Sequence, residues 1–166
     1  MKKFTKIILI AFLMIFAILP ISEVVGETYV TDSEMTVMID ITDAYYTALD
    51  DDGIADDIVA NFDMTVQKNG RQLPNERLKF DLYVELILPS GLNHLFGFRV
   101  TCKRGVCVSP IIHMHNVATE PGWYTITLTC VLFDRGFITG VGSESLEFDP
   151  PGGSPSTEPK SCIIIL

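Results

Sequence analysis

The chain has 166 residues, with 12 Lys and Arg against 21 Asp and Glu, a formal net charge of −9, and 48% hydrophobic residues. That length supports one domain with an apolar core of its own, so disulfides are not a precondition of folding. So acidic a chain repels phosphate backbones and anionic headgroups, which sets nucleic acid aside as a partner.

Lys2, Lys3 and Lys6 stand at the amino terminus without an acid among them. Residues 7–21 are then apolar apart from Pro20, and the small, polar stretch Ser22-Glu23-Val24-Val25-Gly26 follows. This order predicts a secretory signal helix cleaved after Gly26, with Val24 at −3. The apolar run has 15 residues, short of the ~20 that a spanning helix needs. A retained anchor is the alternative, and the only membrane contact expected. Residues 27–166 carry nine basic and twenty acidic residues, a net charge of −11. The expected location is secreted or cell-surface.

A first strand is read over Thr36–Thr42. Between it and the next lies Leu49-Asp50-Asp51-Asp52-Gly53-Ile54-Ala55-Asp56-Asp57. Hard cations want six to eight oxygens on a tightly turning backbone, which alternate carboxylates around a Gly provide. The stretch resembles the D-x-D-x-D-G-x-x-D-D loops of thrombospondin type 3 repeats and of dockerin or EF-hand-like calcium loops. The resemblance implies calcium held by Asp50, Asp52, Asp56 and Asp57. Ala48 stands where such loops carry their first Asp, so one ligand is missing unless Asp43, Asp51 or a backbone carbonyl replaces it. The alternative is a solvated acidic turn.

Two clear period-two segments follow. In Ile58–Val66 the apolar set is Ile58, Ala60, Phe62, Met64 and Val66; in Leu78–Leu88 it is Leu78, Phe80, Leu82, Val84, Leu86 and Leu88. Alternation of this kind gives each strand one buried and one wet face. Further strands are read over Leu92–Cys102, Val106–Asn116, Tyr124–Phe133 and Ser143–Asp149. Asn69-Gly70, Pro89-Ser90-Gly91, Arg104-Gly105, Pro121-Gly122 and Asp134-Arg135-Gly136 mark the turns between them. About seven antiparallel strands at this spacing predict an all-β, two-sheet sandwich over residues 27–149.

Cys102 and Cys107 flank a four-residue turn, read as a hairpin end that a disulfide spans in an oxidising compartment. Cys102–Cys130 is the other connectivity, while Cys130 in phase with Tyr124, Ile126 and Leu128 reads as a buried thiol. His113 and His115 share one strand face and suit zinc or copper in type. Beyond them the chain has only His94, too few for a superoxide dismutase-like site.

Glu120-Pro121-Gly122-Trp123-Tyr124-Thr125-Ile126 resembles the D-x-G-x-Y-x-C strand entry of immunoglobulin-like domains, with Glu120 for the Asp and Ile126 for the Cys. The resemblance implies an immunoglobulin-like or fibronectin-III-like sandwich, with Tyr124 in a tyrosine corner. The whole chain is similar in kind to prokaryotic secreted sandwich modules, archaeal ones included. Residues 150–166 read as a Pro/Gly/Ser-rich tail with a short apolar end, containing Cys162.

No serine-nucleophile elbow, phosphate loop or evident acid pair is present, so the expectation is a non-enzyme. The expected role is structural or adhesive, toward a cell-surface protein or glycan. The alternatives are a small secreted inhibitor or carrier and, in another class, a metal-dependent redox enzyme using His113 and His115.

Overall fold

The computed structural model describes residues 35–50, 52–73, 77–102, 106–107, 109–134, 136–149 and 160–166, the side chains of 106 and 107 excepted. The signal segment 1–26, Asp51 and the stretch 150–159 lie outside the described residues.

Period two dominates because the apolar residues that alternate along each segment need a common interior. The strands are β1 (Met35–Thr47), β2 (Asp57–Lys68), β3 (Arg71–Gln72), β4 (Leu78–Ile87), β5 (Asn93–Cys102), β6 (Val106–Cys107), β7 (Ile111–His115), β8 (Tyr124–Asp134), β9 (Phe137–Phe148) and β10 (Ser161–Ile165). All pairings are antiparallel. One sheet runs β1-β2-β7-β10, with β3 and β6 also pairing with β2; the other runs β5-β4-β8-β9. Both clear alternating sets, together with Ile112, Met114, Tyr124, Ile126, Leu128, Cys130 and Leu132, are buried between the sheets.

Among the described residues there are ten strands where about seven were expected. Val106–Asn116 is broken rather than continuous. Ser109 has φ 48, and its N–H and hydroxyl both donate to Asp63 Oδ1 at 3.2 Å. β6 and β7 consequently lie one after the other along the same side of β2.

The hairpin expected at Cys102–Cys107 is also corrected. Cys102 ends β5, opposite Leu78 in one sheet, whereas Cys107 pairs with Met64 in the other. The two cysteines therefore lie in strands of different sheets. Cys130 and Cys162 are free, which removes the Cys102–Cys130 connectivity. Burial pushes both of these thiols up to about 12, so neither is a thiolate at neutral pH.

The apolar carboxyl end is a strand, not a loose tail. β10 pairs with β7 from Ser161↔His115 to Ile165↔Ile111. Alternation turns Cys162 and Ile164 onto the core and leaves Ile163 and Ile165 outside.

Candidate functional site

Thr47 ends β1 and Asp57 begins β2, directly opposite each other. Since Ile58 faces the core, Asp57 faces outward by alternation. It is nonetheless fully buried, because the acidic connection folds across the end of the sheet. The N–H groups of Leu49 and Asp50 donate to Asp57 Oδ2 at 2.5 and 3.2 Å.

The other oxygen is held from a distant segment. Asn116 follows β7 with φ 61, a left-handed conformation that Asn tolerates better than most residues. There its N–H donates to Asp57 Oδ1 at 2.8 Å. The next two residues continue the attachment: the N–H groups of Val117 and Ala118 donate to the carbonyl of Asp56 at 2.8 and 2.7 Å. One carboxylate and one neighbouring carbonyl thus join the β1–β2 loop to the connection between the sheets.

His115 is the last residue of β7, next to β2, on the outer face. Its Nδ1 lies 3.6 Å from Asp57 Oδ1, too far for a hydrogen bond. Asp50, Asp57 and His115 each bring one ligand-type atom within 4.8 Å of the other two. Among the described residues this is the one such cluster of His, Cys, Asp and Glu. Asp50 Oδ1 is a buried oxygen with no hydrogen-bond donor. Burial, then the neighbouring carboxylates of Asp52 and Asp57, push the Asp50 carboxyl above its ordinary range.

The four aspartates expected as ligands therefore separate. Asp50 and Asp57 converge. Asp52 is exposed and caps the turn, accepting the Ile54 N–H at 2.7 Å, with Gly53 at φ 78. Asp56 is fully buried and lies outside the converging group. His115 enters from a strand that the loop spacing does not reveal.

His113 is adjacent, its ring edge-on to His115 at a centroid distance of 6.4 Å, and it does not join the group. Cys107 sits opposite Met64 on β2, seven residues or about 23 Å along that strand from Asp57. His94 belongs to the other sheet, on β5. Burial, then the positive charge of Lys160, lower its pKa.

The same end of the fold holds the Tyr124 turn. Tyr124 is fully buried; its hydroxyl donates to the Glu120 carbonyl at 2.7 Å and accepts the Glu120 N–H at 2.8 Å. The Glu120 carboxylate then accepts the Ser90 N–H and hydroxyl, both at 2.9 Å, fastening the β4–β5 turn to the β7–β8 connection. Trp123 is 65% exposed beside it. The chain matches no known protein family, no curated protein and no solved structure.

Proposed function

We propose that this chain is an exported, immunoglobulin-like module with a structural or adhesive role at the cell surface, whose acidic-loop end is organised by a divalent cation. The observation that carries the cation reading is the convergence of Asp50, Asp57 and His115 from two separate parts of the chain, with Asp50 contributing a buried oxygen that has no hydrogen-bond partner. Calcium is the ion that the loop spacing calls for.

The immunoglobulin-like part rests on strand order and on the Tyr124 hydroxyl. The sheet β5-β4-β8-β9 has the order C′-C-F-G, and β1-β2-β7 the order A-B-E, of immunoglobulin domains. The Tyr124 bond to the backbone four residues upstream falls at the start of the F-equivalent strand. β10 takes the place beside β7 that strand D takes in such domains. Recognition then falls to the loops at one end or to an outer sheet face, with a protein or glycan as partner.

Stripped of divalent ions, the chain should melt several degrees below its ion-loaded form. A hundredfold excess of ion over Kd stabilises by about 2.7 kcal/mol, at roughly 2–4 °C per kcal/mol for a domain of this size. Equal melting with and without millimolar calcium, magnesium or zinc would remove the cation from the reading. A pull-down with cell-surface extract separates an adhesive role from an inhibitor.

Export and the disulfide share one measurement. The bridge proposed is Cys102–Cys107, since Cys130 and Cys162 are free, and it would link strands of the two different sheets. Peptide mapping of unreduced secreted material should find Glu27 at the amino terminus and a Cys102–Cys107 peptide. An intact Met1 in the membrane fraction defeats cleavage, and free thiols at 102 and 107 defeat the bridge.

A further inference from the structure

The coordination capacity of the cluster narrows the choice of ion. A carboxylate has about four lone-pair directions. In Asp57, Oδ2 already accepts two N–H groups and Oδ1 one. One direction remains, on the oxygen that lies 3.6 Å from His115 Nδ1. Asp57 therefore offers a single bond. Calcium seeks six to eight oxygens and often takes carboxylates in bidentate fashion, and here the most buried carboxylate is nearly saturated.

The geometry suits a smaller coordination number. Two tetrahedral ligands of zinc at about 2.0–2.1 Å stand about 3.3 Å apart, close to the separation of Asp57 Oδ1 and His115 Nδ1. The third ligand atom comes from Asp50, whose Oδ1 is enclosed without a donor. That is an observation independent of the histidine: a buried acceptor without a donor calls for a positive group. Imidazole nitrogen is a ligand that zinc-like ions accept readily and calcium does not favour.

We propose that His115, Asp57 and Asp50 form a three-ligand site for a zinc-class divalent transition metal, with water in the fourth position. The inference rests on the reading of a cation-organised loop end and changes the ion that fills it. Asp57 is held in place by the backbone of both segments, so the site is largely formed before the metal arrives. The ion would join β7, the β1–β2 loop and β2 at one point.

The test uses the full chain, stripped of metal and titrated separately with zinc, cobalt(II), calcium and magnesium at fixed ionic strength. Zinc should bind one to one and at least tenfold more tightly than calcium, and should raise the melting temperature more. Cobalt(II), as a spectroscopic substitute, should show the visible bands of a four-coordinate complex. His115→Gln should weaken zinc binding at least tenfold, as should Asp50→Asn. His113→Gln should leave it unchanged, which separates this site from casual binding to the histidine pair. If the variants do not fold, the unaltered chain still decides through the zinc-to-calcium ratio and the cobalt spectrum. Calcium binding as tight as zinc, or equal loss on changing His113, overturns the assignment while leaving a cation-organised end in place. Absence of any divalent binding overturns both.

Discussion

Asp57→Ala should destabilise the chain by about 3–5 kcal/mol, measured by urea unfolding in the presence of a chelator. The substitution removes the acceptor for three backbone donors at once: Leu49, Asp50 and Asn116. A buried donor left without a partner costs about 1–3 kcal/mol, and the three are close enough that their costs do not simply add. The chelator keeps any ion out of the measurement, so the number reports the latch alone. Asp52→Ala is the comparison. Asp52 is exposed and accepts the Ile54 N–H in a solvated turn, so its loss should cost no more than about 1 kcal/mol. Asp57→Asn should fall between the two, since it keeps an oxygen but places an NH₂ group against backbone N–H donors. If Asp57→Ala and Asp52→Ala destabilise equally, Asp57 does not bind the two segments together, and the acidic loop is held by something else.

That latch explains which parts of the site could be read from the sequence. The Asp-rich loop and its turning Gly are local features, and both are where the spacing puts them. The separation of roles among the aspartates is not local. Asp57 becomes the latch because Asn116, 59 positions away in sequence, presents its N–H in a left-handed conformation. His115 becomes its neighbour only through β2–β7 pairing. A shared strand face for His113 and His115 was legible; which of the two would meet a carboxylate was not.

The strands divide in the same manner. Ile58–Val66 and Leu78–Leu88 each carry an unbroken apolar set at every second position, with Val59 and Ile87 the aliphatic residues out of phase, and they lie within or nearly match Asp57–Lys68 and Leu78–Ile87. β9 begins at Phe137 rather than Ser143, because Gly140 and Gly142 look like turn residues when their surroundings are unknown. β10 was missed for a related reason. Three Ile in a row carry no alternation of their own, and the partner strand lies across a stretch of Pro, Gly and Ser. What determines these elements is the edge against which each packs.

The edge at β9 gives the second large effect. Gly140 and Gly142 oppose Leu132 and Cys130, so they share the inward-facing phase of a strand while bringing no side chain to the core. Backbone from the other sheet occupies that space. A Cβ at Gly140 would lie 2.8 Å from the Met35 carbonyl oxygen, and one at Gly142 would overlap the Val37 carbonyl more severely. The atoms in the way belong to the main chain of β1, so rotamer changes cannot relieve the contact. β1 would have to move, unseating Val37 and Ile39 from the core. Gly142→Ala should therefore destabilise by about 3 kcal/mol, at the upper end of the usual range for overpacking. The reduced freedom of the unfolded chain offsets only about 0.4–1 kcal/mol of this. Gly97→Ala provides the opposite case on a strand of the same sheet. Its Cβ would meet only the Tyr83 ring, at 3.6 Å, an ordinary contact, so this change should be neutral or slightly stabilising. The two urea midpoints, measured on otherwise identical chains, should move apart. If Gly142→Ala unfolds at the same midpoint as Gly97→Ala, β1 and β9 do not meet backbone to backbone, and this side of the two-sheet fold is not closed in the way described.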